Sequence, residues 1–379
     1  MKFLIIASYP GSILKFRGAL IKAIKDKGFE IHIAAPEFDN HPEEVKALQG
    51  LGYMLHDIPM QRTGTNPLKD AAALSSLYLI MKKIKPSHVM GYTIKPVIYG
   101  TLAAWAARIA NRYALITGLG YAFQQVEETG NRSKLQKLIH GLYKQALSKT
   151  TKVFFQNPDD LNLFKQLKLI SSSTPTAVVN GSGVDVSEYA VVPFSMKADN
   201  TPELKFLLIA RLLGDKGVRE YAKAAKLIKI KYPQAQFDLV GWIDDNPDSI
   251  EHQELDQWIE EGTINFWGKL TDVKPAIEAS SIYVLPSYRE GTPRTVLEAM
   301  AMGRPIITTN APGCRETVTN EVNGFLVPVK SVEGLAEAME KFILDPSLIE
   351  TMSKASRKIA ENKFDVHAVN NFMLEEMGL

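Results

Sequence analysis

Short apolar runs alternate along this chain with longer stretches whose apolar residues recur at helical spacing. In the first half, the short runs predict strands at Phe3–Ala7, Ile31–Ala34, His88–Tyr92, Ala114–Thr117 and Val153–Gln156. The helical stretches predict a helix that ends near Lys27, where Gly28 follows, and further helices over Pro67–Lys85 and Pro96–Ala110. Strands separated by helices in this way predict an α/β fold with a parallel, doubly wound sheet.

A second series of the same kind follows a polar stretch. Residues Asn180 to Pro202 have little periodicity and several chain breakers, so we expect an interdomain linker there. Beyond the linker, apolar runs predict strands at Leu204–Ala210, Phe237–Gly241, Ile264–Gly268, Ser281–Pro286, Ile306–Thr309 and Gly324–Pro328. The pattern therefore predicts two similar α/β domains, residues 1–190 and 203–363. Their ligands would bind where the carboxyl ends of the two sheets face each other.

Composition narrows the classes of function. At 379 residues the chain is long enough for about two domains. Its 44 basic residues against 42 acids give no overall field that would attract nucleic acid. One cysteine, Cys314, leaves no disulfide pair, which fits a reducing compartment. The apolar run at the start is too short for a signal peptide or a membrane-spanning helix.

The sequence SYREGTPRTVLEAMAM, residues 287–302, is the strongest candidate for a functional site. It follows the predicted strand Ser281–Pro286 and continues into a helix that Gly303 and Pro305 end. In a parallel sheet such a loop lies at the carboxyl end of a strand, and the helix start favours an anion. Glu290 in the loop and Glu298 on the helix are separated by seven residues, so each can meet a different set of hydroxyls.

The sequence ARLLGDKG, residues 210–217, follows the first strand of the second domain. It brings Arg211 and Lys216 near the same edge of the sheet. A guanidinium and an ammonium there can neutralise a diphosphate leaving group as its charge develops. A surface pair after a strand is the alternative for this segment considered alone.

Together, EGTPRTVLEAMAMGRPIITT and ARLLGDKG resemble the glutamate-x7-glutamate and GRL…KG motifs of the retaining glycosyltransferases of family 4. The resemblance implies the GT-B fold, in which two Rossmann-like domains face each other across a cleft. It also implies that a last helix, within residues 364–379, crosses back to the first domain. The first motif glycine is Ala210 here, a mild departure from the pattern.

The resemblance also implies roles for individual residues. Catalysis would depend on Arg211, Lys216 and Glu290, with the two cations on the diphosphate and Glu290 on hydroxyls of the donor sugar. Glu298 would bind the ribose, and the FWGKL segment would read the base through its backbone. Trp267 would either assist in reading the base or be a buried core residue. The residues implied in donor binding are Gly11, Arg211, Lys216, Trp267, Gly268, Glu290, Gly291, Thr292, Pro293, Arg294, Thr295 and Glu298.

The first domain departs from the family pattern. Of the paired glycines that many members carry after the first strand, only Gly11 remains, and residues 116–123 contain no histidine. A general base in the first domain is therefore not indicated. No Asp-x-Asp motif occurs, so a carboxylate-bound Mg²⁺ is not indicated either, and we expect neither a metal nor a cofactor besides the donor itself.

The acceptor is suggested by a narrower resemblance. The segments TIKPVIYG and ITGLGYAF resemble bacterial transferases that build lipid-linked glycans, above all the PglA-like N-acetylgalactosaminyltransferases. Those enzymes move N-acetylgalactosamine (GalNAc) from its UDP form to an undecaprenyl-diphosphate sugar. Candidate acceptor contacts are Ser12, Lys15, Arg17, Lys95 and Tyr121, and Arg132 is a further basic candidate. Residues 131–152 contain six basic residues, no acid and apolar residues at helical spacing. This pattern predicts either a helix on an anionic membrane or a core-packed helix with a solvated basic face.

The sequence thus predicts a retaining, metal-independent glycosyltransferase at the cytoplasmic face of the bacterial plasma membrane, with no nucleic-acid partner. Its donor would be a UDP-sugar, with an N-acetylhexosamine favoured, and its acceptor a lipid-linked saccharide. Two alternatives remain: a UDP-sugar 2-epimerase of the same fold, and a non-catalytic nucleotide-sugar-binding subunit. An NAD enzyme is a distant third, because no GxGxxG follows the first strand.

Overall fold

The structure is a computed structural model that describes residues 1–61, 66–119, 123, 134–196, 202–244 and 246–379. It divides into two compact units. The first comprises Met1–Ser182 and His367–Leu379, and the second comprises Gly183–Val366. Among the described residues, none of the helices combines the length and the apolar character needed to cross a membrane.

The first unit is built on a seven-stranded sheet in the order β3-β2-β1-β4-β5-β6-β7, and its strand pairs are parallel. The strands are β1 Lys2–Ile6, β2 Glu30–Ala35, β3 Met54–Asp57, β4 His88–Tyr92, β5 Asn111–Ile116, β6 Lys152–Phe155 and β7 Thr176–Val178. The helices are α1 Ile13–Asp26, α2 Pro42–Gly50, α3 Pro67–Ile84, α4 Ile94–Ala106, α5 Lys134–Leu147 and α6 Pro158–Gln166.

Helices cover both faces of this sheet because successive strand side chains point to opposite faces. Phe3 and Ile5 pack with α1 and α2, whereas Leu4 and Ile6 pack with α3 and α4. The chain leaves β1 and β4 toward opposite sides of the sheet. The carboxyl ends of these two neighbours are therefore the topological switch point, where open α/β sheets bind ligands.

The second unit repeats the plan with six strands in the order β10-β9-β8-β11-β12-β13, again paired in parallel. The strands are β8 Lys205–Ile209, β9 Gln236–Val240, β10 Asn265–Gly268, β11 Ile282–Leu285, β12 Ile306–Thr309 and β13 Gly324–Val327. The helices are α7 Val218–Lys231, α8 His252–Glu260, α9 Lys274–Ala279, α10 Arg294–Ala301, α11 Val332–Leu344 and α12 Ser347–Lys363. Here β8 and β11 flank the switch point.

The last helix, α13 (Val366–Met377), lies almost entirely within the first unit. Met373, Leu374 and Met377 join the core that contains Phe3. The Tyr113 hydroxyl donates a hydrogen bond of 2.9 Å to the Met377 carbonyl. The chain therefore leaves the first unit near Ser182 and returns to it near His367.

Ten of the eleven predicted strands lie within one residue of their observed bounds, whereas β5 begins three residues earlier than predicted, at Asn111. In the described part of the first unit, two helices and two strands were not predicted: α2, α6, β3 and β7. Strand β3 is an edge strand with two exposed residues among four, so it lacks an apolar run. The second unit begins at Gly183. The described residues of the expected linker therefore belong to the second unit from Gly183 onward, and its first three residues belong to the first unit.

Candidate functional site

Two loops of the second unit meet at the carboxyl ends of the neighbouring strands β8 and β11. Ser287 and Tyr288 both bond to the Asp215 carbonyl, through the Ser287 hydroxyl at 3.1 Å and the Tyr288 amide at 2.8 Å. Gly217 has φ +69°, and a β-carbon there would lie 2.2 Å from the Pro286 carbonyl oxygen. Only glycine permits this contact, so the loop that carries Lys216 is fixed against the loop that carries Glu290.

Lys216 and Glu290 form an ion pair inside this double loop. The Lys216 Nζ lies 2.6 Å from Oε1 of Glu290, and the two side chains are 16% and 18% exposed. Burial works to lower the pKa of Lys216, but the charges of Glu290 and Asp215 outweigh it and raise that pKa above its ordinary value. Lys216 therefore carries a positive charge throughout the neutral range.

Arg211 lies on the same edge with its own carboxylate partner. Its NH1 lies 2.9 Å from Oδ2 of Asp244, in the loop after β9. Burial opposes ionisation of Asp244, but hydrogen bonds from Arg211 and from the Asn246 amide hold its pKa below the ordinary value. The two predicted cations thus lie on the loop that follows β8, and each is next to an acid.

Glu298 is the most deeply buried acid of the site, only 3% exposed on α10. Its Oε1 accepts hydrogen bonds from Nε of Arg294, one helical turn earlier, at 2.8 Å and from the Tyr189 hydroxyl at 3.0 Å. Neither bond uses Oε2. The carboxylate is thus oriented by two donors on one oxygen, and its other oxygen can accept hydroxyl donors from a ligand.

The segment between the two glutamates leads into the start of α10. Pro293 precedes the helix with φ −72°, and the Tyr283 hydroxyl lies 2.7 Å from Oγ1 of Thr295. Gly291 is buried in the turn, and Thr292 is partly buried. A β-carbon on Gly313 would lie 2.1 Å from the Glu290 carbonyl oxygen, so the loop at residues 311–314 packs directly beneath the glutamate loop.

Trp267 and Gly268 lie at the end of the edge strand β10. The Trp267 indole N–H donates to Oδ1 of Asp238 at 3.2 Å, and Asp238 is paired in register with Asn265, farther from the carboxyl edge. This bond turns the polar edge of the indole away from the switch point. Gly268, at φ +72°, stays at the carboxyl end, and its carbonyl accepts from the Gly241 amide at 3.0 Å.

In the first unit, the loop after β1 is packed against the end of β4. The Ser12 hydroxyl bonds to the Tyr9 carbonyl at 2.6 Å and lies 2.9 Å from the Tyr92 hydroxyl. Gly11 lies against Tyr9, where a β-carbon would approach the ring to 2.7 Å. Arg17 is buried, with its guanidinium 5.5 Å from the centre of the Tyr92 ring. Gly11, Ser12 and Arg17 are thus brought together at the switch point of this sheet.

The other acceptor candidates are arranged differently. Lys95 bonds to Asp70 at 2.7 Å, and both side chains are mostly buried, so an acid neutralises its charge. The Lys15 Nζ lies 5.9 Å from the ring of Phe16. Tyr121 and Arg132 lie outside the described residues.

Sequence reasoning missed several residues at these two edges. Tyr189 comes from the segment expected to be a linker. Thr93, at the end of β4, has φ +69° and donates to the Ser8 hydroxyl at 3.0 Å, a strained backbone that no sequence pattern indicates. Trp242 follows β9 at the carboxyl edge, with the Lys269 ammonium 4.9 Å from its ring centre.

The helix predicted over the basic stretch, α5, turns its apolar residues inward. Tyr143, Ala146 and Leu147 are buried in a core cluster, and Ile139 and Leu142 pack against it. Among the apolar residues of α5 whose side chains the structure describes, Leu138 points outward, at 58% exposure. The interpretation of α5 as an amphipathic helix with its apolar face in a membrane is therefore wrong, because that face packs in the core of the first unit.

Comparison with known proteins identifies the family. A family model described as "Glycosyl transferase 4-like" matches residues 10–157, and "Glycosyl transferases group 1" matches residues 195–359. A Campylobacter jejuni protein named N,N'-diacetylbacillosaminyl-diphospho-undecaprenol α-1,3-N-acetylgalactosaminyltransferase is 27% identical over 90% of this chain and 89% of its own length. An Escherichia coli UDP-Gal:α-D-GlcNAc-diphosphoundecaprenol α-1,3-galactosyltransferase is 27% identical over 79% of this chain and 77% of its own.

The fold has close counterparts among solved structures. Anabaena HepE in complex with UDP superposes with a TM-score of 0.78 over the whole of both chains, at 19% identity. A sucrose-phosphate synthase from Thermosynechococcus elongatus gives a TM-score of 0.76 at 20% identity, over 99% of this chain and 98% of the other. With both sheets and both family models in agreement, the chain belongs to the group 1 glycosyltransferases of family 4, retaining enzymes with the GT-B fold that take a sugar from a nucleotide-sugar donor.

Proposed function

We propose that the protein transfers an N-acetylhexosamine, with GalNAc the first candidate, from its UDP form to a lipid-linked diphosphate saccharide. The observation that carries the proposal is the arrangement in the second unit of the Lys216–Glu290 ion pair beside the loop and helix that hold Glu298. The names of the two bacterial relatives, which both include diphospho-undecaprenol, support this class of acceptor. The reaction would serve bacterial surface-glycan or protein-glycan assembly at the cytoplasmic face of the plasma membrane.

In this proposal, the second unit holds the donor. Lys216 and Arg211 stabilise the diphosphate as negative charge develops on it, while Glu298 accepts the ribose hydroxyls through Oε2. The backbone of Gly291, Thr292 and Pro293 and the first turn of α10, which begins with Arg294 and Thr295, contacts phosphate or sugar oxygens, because a helix start favours negative charge. The backbone at Gly268 contacts the base.

Glu290 has two tasks in this scheme. Before the donor binds, its carboxylate neutralises Lys216 at 2.6 Å. With the donor bound, the Lys216 ammonium turns to the diphosphate, and Glu290 accepts hydrogen bonds from hydroxyls of the transferred sugar. The ion pair therefore keeps a cation in a largely buried position without leaving it unneutralised.

The chemistry needs no protein nucleophile. The acceptor hydroxyl attacks the anomeric carbon from the face that the diphosphate leaves, so the new C–O bond has the configuration of the old one. The bond between the anomeric carbon and the phosphate oxygen breaks, and that oxygen takes the proton of the acceptor hydroxyl. The products are UDP and the extended saccharide.

For the first unit, we propose that the loop after β1 contributes the remaining contacts. Gly11 contacts a donor phosphate, and Ser12, Lys15 and Arg17 contact the acceptor diphosphate or its sugar. Lys95, neutralised by Asp70, would contribute a hydrogen-bond donor and no net charge. Tyr121 stays an acceptor candidate from the sequence.

The test is UDP release from a panel of UDP-sugars, with and without an undecaprenyl-diphosphate-linked sugar. We expect release that requires one donor, UDP-GalNAc first, together with the lipid acceptor. Formation of a UDP-sugar epimer without acceptor would instead establish the 2-epimerase. Tight UDP binding with no product from any donor and acceptor pair would establish the nucleotide-sugar-binding subunit.

A further inference from the structure

Charge is unevenly distributed along the chain. Residues 67–119 and 134–152 contain twelve lysines and arginines and a single acid, Asp70. That acid is neutralised by Lys95 at 2.7 Å. Because the whole chain has a net charge of only +2, its remaining residues carry an excess of acids. An excess of positive charge is therefore concentrated in one part of the first unit, because that part has almost no acids.

The three helices of this part, α3, α4 and α5, lie next to each other. Helix α4 packs between α3 and α5. The outward stripe of α3 runs through Leu68, Ala72, Ser75, Leu79 and Lys82, at helical spacing, with Lys83 beside it. The outward residues of α5 are Lys137, Leu138, Gly141, Lys144 and Gln145. We call this surface, together with the exposed end of α4, the basic face. None of its described outward residues is an acid.

Large apolar side chains stand among these cations. Leu68, Leu79 and Leu138 are 82%, 65% and 58% exposed. Trp105, at the end of α4, is half exposed, and the Lys149 ammonium lies 5.0 Å from its ring centre. Leucines, a tryptophan and lysines on one surface are typical of proteins that lie at the boundary between lipid headgroups and acyl chains.

One end of the basic face holds a recess of about 380 Å³ between the ends of α3 and α4. Its lining residues include Lys82, Lys85, Arg108, Ser87 and Asn111, and none of them is an acid. Three cationic residues around a concave space, with no acid among them, are suited to a phosphate headgroup.

Helix dipoles alone do not account for the basic face. Cations are favoured at helix C-termini, which explains the lysines in the last turns of α3 and α5. Yet α13, in the same unit, has Glu375 and Glu376 and no basic residue in its last turn. The dipole also gives no reason for leucines and a tryptophan to point outward.

We propose that the basic face docks side-on against an anionic bilayer, with its lysines at the headgroups and Trp105 and the three outward leucines at the boundary with the acyl chains. In this arrangement the strands of the first unit's sheet lie roughly parallel to the bilayer surface. The carboxyl ends of those strands then face along the bilayer surface. This deepens the proposed function by naming the membrane-contact surface and rests on it for the lipid-linked acceptor.

The test is binding of the full chain to vesicles of phosphatidylglycerol mixed with phosphatidylcholine, compared with pure phosphatidylcholine. We expect binding only to the anionic vesicles, and we expect it to weaken with salt. A lysine near such a surface contributes roughly fivefold to the partition coefficient, so Lys83→Glu with Lys137→Glu should lower it by about 25-fold or more.

The matched control reverses two exposed lysines of the same unit that lie off the basic face, Lys27→Glu with Lys46→Glu. Both variants change net charge equally, so a general charge effect would weaken both alike and overturn the proposal. Equal binding to neutral and anionic vesicles would also overturn it. So would a dimer in solution that the basic-face variant dissociates, because the surface would then join two copies of this chain.

Two further measurements separate this inference from the proposed function. Brominated lipids should quench the wild-type fluorescence, and the quenched part should disappear in Trp105→Phe but persist in Trp242→Phe. Loss of quenching in Trp242→Phe alone would place another surface on the bilayer and overturn the proposal.

With a short, water-soluble acceptor analogue, the Lys83→Glu with Lys137→Glu variant should keep its turnover. A failed transferase test and a failed docking test therefore give different results.

Discussion

The Tyr189 hydroxyl donates a hydrogen bond of 3.0 Å to Oε1 of Glu298, a residue 109 positions later in the sequence. Tyr189 is buried, the Lys274 ammonium lies 4.8 Å from the centre of its ring, and Arg357 donates to its carbonyl at 2.8 Å. The residue is therefore held on both its side chain and its backbone. We therefore expect Tyr189 to act through Glu298 as a positioning residue.

Replacing Tyr189 with phenylalanine should weaken UDP binding by about tenfold, because a hydrogen bond to a charged group typically contributes about 1.5–3 kcal/mol. Isothermal titration calorimetry with UDP measures this directly. The control is Tyr232→Phe, which removes a similar 2.9 Å bond to Glu340 outside the site. Equal affinities for the two variants would show that Tyr189 does not orient the carboxylate.

Tyr189 also illustrates which site residues could not be predicted from the sequence. Strands such as β4 and β12 were predicted with their observed bounds because a buried parallel strand is an uninterrupted apolar run. The segment around Tyr189 has no periodicity, since it is held by side-chain contacts to α10 and α12 and forms no regular element. Such contacts join residues far apart in sequence, so no local pattern reveals them.

Replacing Lys216 or Arg211 with alanine should lower turnover by about 10²–10³, because each removes a fixed charge from the leaving diphosphate. The matched control is Lys226→Ala, which breaks a solvent-exposed pair with Glu261 at 2.8 Å and should leave turnover unchanged. Steady-state UDP release measures the effect, and circular dichroism checks the fold. Near-normal turnover in both site variants, with the fold intact, would exclude these cations from the reaction.

The motifs identified Lys216 and Glu290 but not the reason for their fixed separation. Gly217 and Gly313 allow the loops to pack at this separation. A β-carbon at either position would collide with a backbone oxygen, that of Pro286 or that of Glu290. The sequence shows that glycines occur near both motifs. Only the packing of two loops against each other shows why no larger residue fits.

Gly313→Ala should destabilise the protein by about 2 kcal/mol or more, since φ is +80° and the new β-carbon would lie 2.1 Å from the Glu290 carbonyl oxygen. The matched control is Gly262→Ala, with φ +65° but open space around the β-carbon, which should cost only about 1 kcal/mol. Thermal unfolding compares the two variants. The Gly313 variant should also lose turnover, because the loop that carries Glu290 must shift, whereas equal melting temperatures would contradict a direct packing constraint.

Cys314, the single cysteine, reports on the same loop. It is fully buried, its Sγ lies 3.8 Å from the Ser287 carbonyl oxygen, and burial, assisted by the charge of Glu290, raises the pKa of its thiol to about 12.

At pH 8 the thiolate fraction of Cys314 is then about 10⁻⁴, against roughly a quarter for an unfolded cysteine of pKa about 8.5. Alkylation by iodoacetamide should therefore be about 10³-fold slower in the native protein than in denaturant. Its rate should rise about tenfold per pH unit well beyond pH 9, whereas the unfolded chain levels off there. Fast native labelling that levels off near pH 9 would mean that the loop opens and exposes the thiol to water. Such opening would contradict the fixed packing of Gly313 beneath Glu290.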